Sequence, residues 1–165
     1  MAEKGDGTNW LTPFPLKDLS HDHLLVLWID PTTEGENRYL LSQVEECNPS
    51  VFVLQFPQAL EAWLWIEQHR GLVSIMVRAG HMRVMTNAYR EKDGGIEAGK
   101  QVFQEVQTRW KKSAVPVFVY CGNRSVSYYE EYRQKEVKRS YRKSLIVATS
   151  SMKALDFLSF VDPPL

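Results

Sequence analysis

Apolar positions along the chain fall into five short continuous runs, separated by stretches in which they recur at helical spacing. The run Leu24-Leu25-Val26-Leu27-Trp28-Ile29 is apolar throughout and stops at Asp30-Pro31, the pattern of a strand buried on both faces. Thr32 or Thr33 then caps a helix with Glu34 and Glu36 in its first turn. Leu40, Leu41, Val44 and Cys47 continue its period up to Asn48-Pro49-Ser50. Residues 51–56 read as a second strand. Pro57 opens a second helix; Leu60, Trp63, Leu64 and Glu67 follow at its spacing, and Gly71 closes it. Residues 72–77 read as a third strand that ends at Arg78, and residues 79–93 as a long irregular loop carrying Gly80, His81, Arg83, Asn87 and Arg90. Ile96, Gly99, Val102, Phe103, Val106 and Trp110 make a helix stripe, and residues 115–120 a fourth strand. Ser125 caps a helix with Val126, Tyr129, Tyr132 and Val137 on its spacing. Residues 145–148 form a fifth strand, and Thr149, Ser150 and Ser151 cap a last helix whose Met152, Leu155 and Leu158 face inward.

Strict strand–helix alternation implies an α/β fold: a five-stranded parallel sheet with helices on both faces and right-handed crossovers. Five units in this length match the flavodoxin-like strand order 2-1-3-4-5. One domain, 23–162, is expected, preceded by a leader, 1–22. Gly5, Gly7, Pro13 and Pro15 break any helix in the leader, while Trp10, Leu11, Phe14 and Leu16 give it a small apolar set, so it is expected to pack on or flank the domain.

Composition narrows the classes. The 165 residues carry a formal net charge of zero, which supplies no general pull toward nucleic acid or an anionic membrane. No apolar run approaches the roughly 20 residues of a membrane span, and residues 1–9 lack the apolar core of a signal peptide. Two cysteines, Cys47 and Cys121, fit a reducing, cytoplasmic setting better than a disulfide framework. His21 and His23 flank Asp22 but have no third or fourth ligand near them. No metal and no cofactor is expected.

Ligands of open α/β sheets gather at the carboxyl ends of the strands, which places Asp30, Arg78, Cys121 and Thr149 or Ser150 together. With the acidic end of the first strand (Leu27-Trp28-Ile29-Asp30), the Gly94-Gly95-Ile96-Glu97 entry to the third helix and the fourth strand Val115-Pro116-Val117-Phe118-Val119-Tyr120, the arrangement resembles the receiver (CheY-like) domain of two-component signalling. The resemblance implies a site that binds magnesium and accepts a phosphoryl group: an acid pair after strand one, an aspartate after strand three, a hydroxyl after strand four and a lysine after strand five. Here those places hold Asp30-Pro31, Arg78, Cys121 and Thr149, with Lys153 a turn later. A guanidinium neither attacks phosphorus nor tolerates magnesium beside it. The expectation is a degenerate, non-phosphorylatable pseudo-receiver in which Arg78 pairs with Asp30 and replaces the metal's charge.

In receivers the face from the fourth helix to the fifth meets partners. Here that stretch is basic and rich in tyrosine: Tyr129, Tyr132, Arg133, Lys138, Arg139, Tyr141, Arg142 and Lys143. Tyr and Arg are enriched in interfaces, so an acidic protein partner is expected there. The function that follows is a non-catalytic interaction module in a signalling or regulatory assembly, not an enzyme. The alternative is a nucleotide-binding or TIR-like NAD-processing domain with a ligand at the strand ends, in which Glu34, Glu36 or Glu97 supplies the pocket's acid.

Overall fold

A computed structural model describes residues 23–32 and 34–161. The expected leader with His21 and Asp22, Thr33, and Pro163-Pro164 lie outside the described residues.

β1 (Leu24–Ile29) is the hub of the sheet. It pairs in parallel with β2 (Val51–Phe56) on one side and β3 (Met82–Asn87) on the other. β4 (Val117–Tyr120) adds to β3, and β5 (Leu145–Ala148) to β4. The result is a five-stranded, all-parallel sheet in the order 2-1-3-4-5, the flavodoxin-like arrangement the alternation implied. The helices are α1 (Glu36–Cys47), α2 (Ala59–Gln68), α3 (Arg70–Ala79), α4 (Ala98–Arg109), α5 (Val126–Lys135) and α6 (Ser151–Leu158).

Side chains alternate across a strand, so β1 feeds two cores. Val26 and Trp28 pack with Leu40, Leu41 and Val44 of α1 and with Ala154, Phe157 and Leu158 of α6. Leu25, Leu27 and Ile29 pack on the opposite side with residues of α2, α3, α4 and α5, including Trp65, Met76, Val102 and Tyr129. Burial on both faces is why β1 has no polar position before Asp30. Among the described residues no helix is long and apolar enough to cross a membrane.

The third strand is not where the apolar run placed it. Residues 72–77 lie inside α3, where Val73, Met76 and Val77 are buried at helical spacing and Ile75 is exposed. Gly80, in the left-handed region at φ 75°, closes that helix. The strand is the polar-looking stretch Met82–Asn87, inside the 79–93 stretch whose irregular pattern predicts a loop. Its buried Arg83 concealed it: the guanidinium donates to the Phe157 carbonyl at 2.8 Å and lies over the Phe157 and Phe160 rings. A charged strand residue is thereby satisfied inside one of the two cores.

Smaller corrections share a cause, since caps and faces depend on tertiary contacts. α2 ends at Gln68 and Gly71 belongs to α3, so Gly71 closes nothing. Leu60 and Leu64 are exposed while Trp65 is buried; Trp63, half-buried, packs beneath the Arg109 guanidinium. α1 starts after Gly35 with no side-chain cap, and Ser125 makes no cap bond. Met152 is exposed, whereas Ser150 caps α6 as expected by accepting from the Lys153 amide at 3.3 Å.

Candidate functional site

β1 ends at a buried carboxylate, Asp30. The chain turns at once, and Asp30 Oδ1 accepts from the Thr32 amide at 2.9 Å. Asn37, on the first turn of α1, holds the same turn by donating to the Thr32 carbonyl at 2.7 Å. Burial raises the Asp30 carboxyl above the ordinary aspartate range; bonds from Thr32 and Asn37 and the charge of Arg90 oppose that rise without cancelling it.

The cation beside Asp30 is Arg90, not Arg78. Arg78 is an exposed residue in the last turn of α3, a helix that leads into the amino end of β3. It therefore lies at the opposite end of the sheet from Asp30, and the expected pair does not form. The middle strand ends instead at Asn87. Arg90, three residues on, is only 4% exposed and folds its guanidinium back over the strand ends. Nη1 donates to the Ile29 carbonyl at 3.2 Å, to Asn87 Oδ1 at 2.7 Å, to the Asn87 carbonyl at 3.3 Å and to Thr86 Oγ1. Nε donates to Asp93 Oδ2 at 2.7 Å, and the same oxygen accepts from the Ala59 amide at the start of α2 at 2.9 Å. Nη2 is buried without a hydrogen-bond partner among the described residues. One side chain thus ties together β1, β3, the turn after β3 and the α2 entry. Gly94 and Gly95, at φ 100° and 66°, let that turn double back so that the Gly95 amide reaches the Arg90 carbonyl at 2.8 Å. The two glycines form a turn.

The remaining strand ends are quiet. Cys121 is buried, its thiol pushed up to about 11 chiefly by burial, the opposite of an activated nucleophile. Thr149 is exposed after β5, and Lys153 is exposed on α6. Magnesium prefers several oxygen donors and keeps its waters. Asp30 followed by proline, an amide at the end of β3 and a buried guanidinium do not make that donor set. Among the described residues no three His, Cys, Asp or Glu side chains are grouped to hold a metal ion.

The expected basic face divides into two kinds of residue. Tyr129 is wholly buried: its hydroxyl accepts from the Lys100 amide at 2.9 Å and donates to the Ile96 carbonyl at 2.5 Å. Tyr132 is buried against Phe103, and Tyr141 is half-buried against the core. Arg133 donates to the carbonyls of Leu145 and Arg142 at 2.8 Å each, and Arg142 donates to those of Val137 and Gln134 at 3.1 and 2.7 Å. These two arginines brace the 136–145 connection from inside. That leaves Lys138, Arg139 and Lys143 exposed on the 3-10 turn before β5. Arg133 and Lys143 also line a shallow groove beside the β5 edge with Glu130, Leu145, Ile146 and Val147.

A cavity of about 260 Å³ adjoins the Arg90 turn, lined by Pro31, Pro57, Gln58 and residues 90–93. The acids weighed for a ligand pocket lie elsewhere. Glu36 accepts from the Tyr120 hydroxyl at 2.8 Å, Glu97 from the Tyr128 hydroxyl at 2.6 Å, and Glu34 faces Arg38. The one faint sequence signal for Arg90 was its place between a strand and Asp93-Gly94-Gly95, an arginine with an acid three residues on.

No family model matches this chain, and neither a curated protein nor a solved structure matches it.

Proposed function

We propose that this chain is a non-catalytic, receiver-like protein-interaction module, not phosphorylatable, acting within a signalling or regulatory assembly. The observation that carries this reading is the Arg90 clamp. A guanidinium occupies the ends of β1 and β3, where phosphoryl chemistry would require a metal and a nucleophilic carboxylate. Asn87 stands at the end of the middle strand with its amide oxygen already bonded to Arg90. An amide forms no acyl phosphate, and the buried Cys121 thiol is protonated at neutral pH. The strand ends serve as a rigid brace that leaves the outer faces for docking.

The partner is an acidic protein segment. Lys138, Arg139 and Lys143 are exposed together on one short turn, beside the half-exposed Ile146 and Val147 of the β5 edge. Exposed charges of one sign steer an oppositely charged partner and set its register, while the neighbouring aliphatic side chains offer a small apolar contact. Affinity capture with the natural chain and with a Lys138→Glu, Arg139→Glu, Lys143→Glu variant tests the reading. Loss of specific partners in the variant supports it, and identical partner lists contradict it.

The cavity beside Arg90 favours a second reading, a small-ligand domain of nucleotide-binding or TIR-like kind. Its support is position alone, at the crevice where the strand order reverses. A panel of mononucleotides and dinucleotides that raises the melting midpoint would favour it over the interaction module.

A further inference from the structure

The described sheet ends on one side at β5, whose ladder is with β4. That ladder fixes the direction of its backbone groups. The Cys121 amide donates to the Ala148 carbonyl at 2.9 Å, so Ala148 turns its backbone groups toward β4. Along a strand in a parallel pair, successive residues alternate in direction. Ile146 therefore faces β4 as well, while Leu145 and Val147 face the outer edge. Leu145 is served there by groups outside the sheet: its amide donates to the Arg142 carbonyl, and its carbonyl accepts from Arg133 Nε at 2.8 Å. Both bonds agree with an outward direction for the odd-numbered residues. Val147 thus turns its amide and carbonyl toward a groove of about 490 Å³ lined by Glu130, Arg133, Lys143 and residues 145–147. The half-exposed side chains of Ile146 and Val147 flank this edge on opposite faces of the sheet, Ile146 against the core with α1 and α6 and Val147 against the core with α5.

Charge selects the strand that fits. Arg133 and Lys143 line the groove against one acid, Glu130, and Lys138 and Arg139 stand exposed on the turn that leads into β5. A second copy would bring the same cations to the same edge. Like charges discourage such self-pairing and favour a partner of opposite sign. We infer, resting on the docking face proposed above, that the acidic partner binds as an added strand. It lies extended along β5, exchanges hydrogen bonds with the Val147 amide and carbonyl, and sets its carboxylates on Lys143 and the Lys138 and Arg139 turn. Pairing begins at Val147 because Arg133 already occupies the Leu145 carbonyl. In this mode the main-chain bonds supply affinity and the flanking side chains supply specificity.

The probe is an end-capped hexapeptide of alternating valine and glutamate, set against a valine–lysine peptide of the same length. The glutamate peptide should bind the full chain and slow hydrogen exchange at the Val147 amide by at least about tenfold near saturation. Exchange at the Ile146 amide, which lies in the β4 ladder, should be unchanged. Val147→Pro removes the outward donor and no ladder bond, a substitution that edge strands tolerate. It should fold and bind the peptide at least about tenfold more weakly. Equal binding by Val147→Pro, or by the lysine peptide, overturns the inference. Peptide binding that is lost in the Lys138→Glu, Arg139→Glu, Lys143→Glu variant but leaves Val147 exchange unchanged overturns the added strand and keeps the docking face. Absence of any binding overturns both. Protection of Val147 in the protein alone also overturns the inference: it assigns the edge to this chain, or to a second copy where protection grows with protein concentration. Should Val147→Pro fail to fold, exchange in the natural chain decides.

Discussion

Arg90 donates from Nη1 to the carbonyl of Ile29 at 3.2 Å, so the last residue of β1 is held by a side chain that lies beyond β3. Nothing polar precedes Asp30 on β1, and the next peptide already turns away toward Thr32. The bond therefore acts where the two central strands would otherwise splay. Truncation by Arg90→Met leaves the Ile29 carbonyl, Thr86 and the Asp93 carboxylate without their shared donor. A loss of about 2–4 kcal/mol is expected, read as a lower denaturation midpoint in urea. Arg90→Lys recovers less than half of it, because one ammonium cannot reproduce the planar fork that serves Asp93 through Nε and the strand ends through Nη1.

Asp30 supplies a pH signature. Its carboxyl titrates above the ordinary aspartate value, chiefly through burial. A raised value means that the folded state binds the proton more tightly than the unfolded chain does. The favourable contribution is complete below the unfolded value and is lost as pH rises through the folded one. Asp30→Asn keeps an oxygen for the Thr32 amide and removes the buried charge. The variant should melt above the natural protein at pH 7, and the difference should close as pH falls toward 3. Melting curves across that range check both the sign and the trend.

The contact between α4 and α5 is tight enough to test with one methyl group. A Cβ at Gly99 would come within 2.9 Å of both the Tyr129 hydroxyl and Val119 Cγ1. Gly99→Ala should cost about 1–3 kcal/mol by overpacking. Tyr129→Phe should cost about 1 kcal/mol or more, since the Lys100 amide loses the oxygen it donates to. Because the two sites touch, the double variant should fall short of the sum of the single losses.

Much of the fold was legible in the chain. β1, β2, β4 and β5 stood out as short runs apolar at almost every position, and strict alternation then implied the 2-1-3-4-5 order. β3 was hidden for a physical reason. Its buried Arg83 is satisfied by the Phe157 carbonyl, distant in sequence, and its Thr86 and Asn87 by Arg90 and the turn after the strand, while the apolar run before it follows a helical period too short to tell from a strand. That displacement moved the expected cation from Arg90 to Arg78. Asp30 could be read directly, because a strand that stops at a carboxylate is a local pattern. Arg90 could not, because its bond to the distant Ile29 carbonyl, and the Ala59 bond that fixes its partner Asp93, are assembled by folding.

The basic stretch also separates into testable parts. The side chains of Lys138, Arg139 and Lys143 are exposed and make no hydrogen bond or ion pair among the described residues, so reversing all three to Glu should change stability by no more than about 0.5 kcal/mol each. Arg133→Ala should cost about 1–3 kcal/mol, because the carbonyls of Leu145 and Arg142 lose a charged donor. Denaturation of the two variants side by side distinguishes docking charge from structural charge within one sequence run.

The measurement that bears most directly on the account is the melting midpoint with magnesium and beryllofluoride, which together imitate a bound phosphoryl group. A ligand that binds the folded state raises the midpoint by mass action. With Arg90 across the ends of β1 and β3, the midpoint should be the same with and without the pair of reagents. A clear upward shift that disappears in Asp30→Asn would contradict the account and return the strand ends to phosphoryl chemistry.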